Sequence, residues 1–220
     1  MHLRRPGSSS TDSPSKVQAY LDLVDWRRQV GDLYRLSGPD ALEEFRRGRD
    51  RLFKTHPQSP IAPEEQASFS GLTYFAPDPA YRVRGRLEPH DGSELVIDTG
   101  GEDGAIRYRR AGRLQFTLVG QECLLTVFSL VAYAGGLFLP FADATSASET
   151  YGAGRYLFDT VKNTDGLALE VEPGSDEVVI DFNYAYNPSC AYSPRWACPL
   201  APPENRLSIP VLAGEKTYQA

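Results

Sequence analysis

Histidine, cysteine, methionine and tryptophan are scarce: 3, 3, 1 and 2 among 220 residues. The cysteines, Cys123, Cys190 and Cys198, include no Cys-x-x-Cys pair, a poor signature for zinc or for dithiol redox chemistry. The internal histidines, His56 and His90, and the dispersed carboxylates have no metal-ligand spacing, so no metal site is expected and no cofactor is named. Also missing is any apolar run near the ~18 residues a membrane-spanning helix needs. The N-terminal Met1-His2-Leu3-Arg4-Arg5 is charged but leads into no apolar stretch, so neither a membrane nor a secretory signal is expected. The expected compartment is the cytoplasm, where the thiols stay reduced.

What is present is an average globular composition, 41% hydrophobic and 24% charged, which excludes wholesale disorder. The net charge of −6 is unevenly spread. Residues 1–56 carry 11 Lys+Arg against 8 Asp+Glu, and the remainder carries 12 against 21. So acidic a main body is a poor match for phosphate backbones, and nucleic acid is not an expected partner. The simplest use of the asymmetry is docking of the basic N-terminal part on the acidic rest.

Residues 1–15 are small and polar and read as a disordered arm; residues 16–220 read as a single domain. From Lys16 the spacing is helical, with Val17, Tyr20, Leu21, Val24, Val30, Leu33 and Tyr34 recurring every three or four residues. Ser37-Gly38-Pro39-Asp40 divides this helix from a second, whose stripe is Leu42, Phe45, Leu52 and Phe53. Arg46, Arg47, Arg49 and Arg51 fall mostly on other faces and read as a solvated basic surface.

Past residue 56 the period becomes two. Tyr81, Val83, Gly85 and Leu87 alternate with charged neighbours, and Asp91-Gly92 is a hairpin signal that leaves His90 exposed in a turn. Leu114, Phe116 and Leu118 mark another half-buried strand, and 123–133 is apolar on both faces and so central. Val178, Ile180 and Phe182 point to the core. The expected fold is mainly β (α+β): about nine short antiparallel strands in a meander, closed into a barrel or sandwich, with two N-terminal helices.

The densest signal is the run from Asp181 to Asn205, with three tyrosines, two cysteines and four or more prolines beside amides and carboxylates. Asp181 and Asn183 share the face opposite Phe182, where with Tyr186 they could hold a ligand or a water; equally they could cap turns in an irregular loop. Thr150-Tyr151-Gly152-Ala153-Gly154-Arg155 can gather amides and a guanidinium around an anion, but matches neither a P-loop nor a dinucleotide fingerprint. The competing role for Arg155 is a buried salt bridge to Asp143, Glu149 or Asp181. Cys190 with His56 would form a nucleophile pair only if the fold joined them.

These stretches resemble an uncharacterised bacterial and archaeal family catalogued as domain of unknown function 1684. The resemblance rests on Phe69-x-Gly71-Leu72-x-Tyr74-Phe75, Thr150 to Leu157, and Asp181-Phe182-Asn183-x-Ala185-Tyr186-Asn187-Pro188. Cys190-Ala191-Tyr192, Cys198-Pro199-Leu200, Pro203-Glu204-Asn205 and Ala213-Gly214-Glu215-Lys216 belong to it as well. It runs from about Tyr20 to Lys216, departs at Ala201 where a proline is expected, and implies no known activity.

The functional expectation is a small-molecule ligand, polar or anionic, held in a barrel pocket. Arg155 would anchor the anion, with Tyr151, Asn183, Asn187 and Cys190 beside it. Asp181 and Tyr186 would serve any hydrolase or isomerase chemistry. The alternatives are a non-catalytic interaction or scaffold domain, and metal-dependent hydrolysis by Asp143, Glu149 and His56. Homo-oligomerisation is left open.

Overall fold

The computed structural model describes residues 16–101 and 104–219; the arm expected over 1–15 lies outside the described residues. Helix α1 (Lys16–Leu33) and helix α2 (Ala41–Thr55) open the chain, with Gly38 at φ +100° in the turn between them. In α2 the stripe Ala41, Phe45, Leu52 and Phe53 is buried, as the 3.6-residue period requires. Helix α1 differs from the expectation. Its second half packs through Val30, whereas Val17, Tyr20, Leu21 and Val24 are 45–72% exposed. Periodicity finds an apolar stripe without saying that it has anything to cover.

Eight strands follow among the described residues: β1 (Arg82–Pro89), β2 (Glu94–Asp98), β3 (Ala105–Leu118), β4 (Gln121–Leu130), β5 (Leu137–Phe141), β6 (Arg155–Asp159), β7 (Leu169–Val171) and β8 (Glu177–Asp181). Every pairing is antiparallel, in the order β6-β5-β4-β3-β1-β8-β7, and the sheet curls into a nearly closed barrel. β4 is central, between β3 and β5, as its two-sided apolarity suggests.

The Asp91-Gly92 hairpin does not form. β2 pairs with residues 105–109 of β3 and β1 with residues 112–116, so β1 and β2 lie end to end along one partner. The turn steps the chain sideways, opposite a bulge between Arg110 and Gly112. Asp91 holds this jog by accepting from the Ser93 amide at 2.9 Å and contacting the His90 ring at 2.6 Å. His90 is accordingly covered rather than exposed, its side chain only 9% accessible.

Leu114, Phe116, Leu118, Leu125, Val127, Leu139, Leu157, Ile180 and Phe182 fill the barrel. A small apolar hollow of about 30 Å³ remains between Leu114, Val127, Phe158 and Leu169. A separate cluster, Tyr108, Phe128, Phe138, Tyr156 and Tyr186, forms beside this core. Strand alternation puts Phe138 there and Leu139 in the main core.

The C-terminal run laces the barrel shut. Tyr186 exchanges both backbone hydrogen bonds with Tyr156 of β6, at 2.8 and 2.9 Å. Downstream, Leu207 bonds Ala142, Ile209 accepts from Ala144, and Gly214 accepts from Phe75. Asn205, fully buried, donates to Thr126 O and Pro140 O and accepts from Thr126 N, all within 2.8 Å. It thereby bridges β4 and β5 beside Pro140, which has no amide proton of its own to give to a ladder.

Candidate functional site

The polar residues singled out by sequence fall into three places. The first is the corner after β8. Strand β8 ends at Asp181 because its carboxylate turns back to accept the Asn183 amide at 2.9 Å, opening a single 3-10 turn over Phe182–Tyr184. The Asn183 side chain donates to Asp181 at 2.8 Å and to Asp78 O at 2.8 Å, and accepts from Asp78 N at 3.1 Å. Every strong hydrogen-bonding direction of Asn183 is met by protein. Burial pushes the Asp181 carboxyl up from the usual aspartate range, and the Asn183 hydrogen bonds oppose it.

The second place is a buried ionic knot. Gly154 precedes Arg155 at φ +94°, where an added Cβ would sit 2.5 Å from Phe141 O, so the Gly-x-Gly stretch serves a close backbone crossing. Arg155 then points inward, fully buried, and donates to Asp143 at 2.8 Å, Val211 O at 3.0 Å, Ala213 O at 2.5 Å and Glu215 O at 3.1 Å. Of the partners proposed for it, Asp143 is the one the fold supplies. Burial draws the guanidinium's pKa below the ordinary arginine value, and Asp143 opposes this.

Beside it, Arg49 of α2 donates to Glu215 at 2.9 Å, and both side chains are buried. The Tyr192 hydroxyl donates to the same carboxylate, and the Asn187 amide reaches it at 3.3 Å. Burial pushes the Glu215 carboxyl up, while Arg49 and Tyr192 favour its ionised form. The basic surface expected on α2 is thus broken: Arg49 is buried, and Arg46 lies 4.5 Å above the Tyr74 ring. The docking of the basic N-terminal part onto the acidic rest comes down to this Arg49–Glu215 pair. Asn187 Nδ2 bonds Lys216 O at 2.7 Å.

The third place is a cleft of about 200 Å³ against the second aromatic cluster. That is far above the ~15 Å³ a single water needs. Its wall is Tyr108 and Phe138, stacked at 5.4 Å between centroids, with Asp159, Lys162 and Cys198 at the polar side. Lys162 Nζ lies 3.4 Å from Asp159 and 5.5 Å from the Tyr156 ring, and its side chain is 45% exposed. Tyr156 Oη donates to Pro199 O at 2.6 Å, which fixes the 197–199 stretch as the cleft's rim. Tyr186 lies behind Tyr156, edge-on at 5.6 Å, with its hydroxyl 2.7 Å from Thr164 Oγ1; burial drives its pKa well above the ordinary tyrosine value.

Two cysteines meet at this rim. Cys190 N donates to Cys198 Sγ at 3.4 Å, and Tyr151 Oη donates to Cys190 Sγ at 3.8 Å. The neighbouring Cys190 thiol is the largest influence lowering the Cys198 pKa, to about 6, helped by backbone amides and by the charge of Lys162. Cys190 is pushed the other way by Cys198 and by burial.

The fold therefore brings Tyr151 to Cys190, Asp181 to Asn183, and Asn187 to the Arg155 knot, but does not gather all of them round one pocket. His56 pairs with Asp25 at 3.2 Å and packs on Trp26, while Cys190 pairs with Cys198. The metal set falls apart too: Asp143 is bound to Arg155, Glu149 lies 3.8 Å from Lys216, and no group of three His, Cys, Asp or Glu side chains among the described residues could hold an ion. Sequence reasoning missed Arg49, Glu215, Asp159, Lys162 and Tyr108. Glu215 and Cys198 had a signal, since both lie in motifs of the family resemblance.

No curated protein matches the chain. Among solved structures it is similar to an uncharacterized protein of Haloarcula marismortui determined by solution NMR, at 37% identity and a TM-score of 0.57, over 90% of this chain and 97% of that one. Residues 67–216 match the family model DUF1684, described as a protein of unknown function. The match covers the whole barrel and its lacing run, and the chain belongs to the DUF1684 family.

Proposed function

We propose that the protein binds a small organic molecule with an anionic group in the cleft beside the barrel. The observation that carries this is the convergence, in one 200 Å³ opening, of an aromatic wall (Tyr108, Phe138) with a half-exposed Lys162. The apolar body of the ligand would lie on the rings. Its anion would meet the exposed end of Lys162, whose ammonium sits at a long 3.4 Å from the more buried Asp159 and can face both carboxylates. Arg155, Asn183 and Asp181 line no part of this opening, and the bonds they make are to the fold. In this reading the helices and barrel act as one domain, joined at Arg49–Glu215. A thermal-shift screen against small carboxylates and phosphates tests it. Aromatic or branched acids are expected to raise the melting temperature of the wild type and not of Lys162→Ala. A hit equally strong in Lys162→Ala, or no hit in a broad library, would remove the proposal.

A second reading, an interaction protein, is favoured by the exposed stripe of α1. Val17, Tyr20, Leu21 and Val24 read alike in both directions along the helix, so an antiparallel second copy would set Val17 on Val24 and Tyr20 on Leu21. Sedimentation equilibrium would then give a dimer that Tyr20→Glu converts to monomer. A wild type that is monomeric across micromolar concentrations would end this reading.

A further inference from the structure

We propose that Cys190 and Cys198 form a peroxide-oxidisable thiol pair, with Cys198 the attacking sulfur and Cys190 the resolving one. This goes beyond ligand binding and does not depend on it. The geometry gives each sulfur a different task. Cys198 lines the cleft, though only 6% of it is exposed, and its Sγ accepts the Cys190 amide at 3.4 Å, so its negative form has a fixed donor at the edge of an opening. Cys190 lies on the far side of that contact, tied to Tyr151 Oη at 3.8 Å and away from the cleft lining. Seven residues separate the two, and Pro188 and Pro199 flank the segment, so the chain already holds the thiols together without a Cys-x-x-Cys motif. Lys162 on the same wall adds a positive charge, and the depressed pKa of Cys198 agrees with these contacts. Around the pair stand Lys162, Asp159, Tyr151 and Tyr156. Cys123 differs in each respect: it lies on β4, with burial raising its pKa and no second thiol at hand.

The chemistry closes without further reagents. The Cys198 thiolate attacks one oxygen of hydrogen peroxide, the O–O bond breaks, and the departing hydroxide takes a proton to become water. Cys198 is left as a sulfenic acid. The Cys190 sulfur then attacks the Cys198 sulfur, the S–O bond breaks, and the hydroxide leaves with the Cys190 thiol proton as a second water. Two thiols have lost two electrons to the peroxide, and one S–S bond has formed. Because Cys198 lines the cleft, forming that bond reshapes its rim.

The test is oxidation of the full-length protein with near-stoichiometric hydrogen peroxide, followed by N-ethylmaleimide and tryptic mass mapping. Cleavage after Arg195 separates the two cysteines, so a disulfide appears as a cross-linked peptide pair that dithiothreitol splits. The expected result is that pair, with Cys123 fully alkylated. Cys190→Ser is expected to stop at a dimedone-trapped sulfenic acid on Cys198, and Cys198→Ser to resist oxidation, each with a wild-type circular dichroism spectrum. If either variant fails to fold, the wild-type map decides alone. Alkylation of both cysteines after peroxide, oxidation of Cys123 at the same rate, or over-oxidation of Cys198 with no cross-link would each overturn the proposal.

Discussion

The ionic knot and the thiol cleft are both built from charged and polar side chains at the C-terminal run, yet they differ in how much of their bonding capacity is spent. In the knot Arg155 meets one carboxylate and three carbonyls, and Glu215 meets Arg49, Tyr192 and the Asn187 amide. Of the knot's side-chain atoms Arg155 Nε and Asn187 Oδ1 lack a partner, and both are sealed from water, out of reach of a solute. At the cleft Lys162 holds a single stretched ion pair, and Cys198 forms part of the lining of an open hollow. Charge in a motif of the family resemblance is therefore not by itself a site. What marks a site is charge whose partners are incomplete and whose surroundings admit a guest.

The largest effect that could break this contrast is at the knot. Arg155→Met strips Asp143 of its cationic partner, leaving only the Thr145 and Val211 donors on its other oxygen, and takes the Arg155 donors from three buried carbonyls; it is expected to cost about 3–5 kcal/mol, or roughly 10 °C in melting temperature. A variant melting within two or three degrees of wild type would mean that Arg155 is not structural. Next comes Asn205→Ala, which strips three short hydrogen bonds from the β4–β5 gap and should cost about 2–3 kcal/mol in urea unfolding.

A smaller effect belongs to Glu204, which Arg110 holds below the usual glutamate pKa and which is partly exposed. A carboxylate lowered in the folded state stabilises above its unfolded pKa and loses that contribution as pH falls through the folded one. The deficit of Glu204→Gln should therefore be below about 1 kcal/mol near pH 7 and vanish in acid below the usual glutamate range. A deficit unchanged down to pH 3 would contradict the assignment. The smallest stability change is expected for Lys162→Ala, within about 1 kcal/mol: the lysine is half in solvent, and the more buried Asp159 keeps the Val161 amide as a donor. Its consequences should fall on ligand binding and, more weakly, on the Cys198 thiol, whose pKa loses the lowering that the Lys162 charge supplies.

Much of the fold was legible from residue spacing. The change of period after residue 56 separates helices from sheet, and the two-sided apolarity of 123–133 identifies the central strand, although that strand ends at Leu130 and Tyr133 is fully exposed. The Asp91-Gly92 jog was not legible, because a turn dipeptide reports a change of direction and not which strand the chain pairs with next. Nor does the stripe of α1 announce that half of it stays uncovered. At the candidate site, Asp181, Arg155 and Cys190 were found by composition and by family resemblance. Asp143 was among the three carboxylates proposed for Arg155, but spacing could not choose between them, and Asp78 and Cys198 meet their partners only through tertiary crossings. Lys162 and Tyr108 carry no local signal at all: one is an ordinary surface lysine and the other an ordinary strand tyrosine until the 197–199 rim closes over them.

The available chemistry sits at the cleft, and the pH dependence of thiol alkylation is the sharpest check on this. Iodoacetamide labelling of the native protein, followed by mass spectrometry at each cysteine from pH 4.5 to 10, is predicted to show Cys198 reacting with a midpoint near pH 6 and Cys123 above the ordinary thiol range. A Cys198 that titrates like a free thiol, or that reacts more slowly than Cys123 throughout, would contradict it.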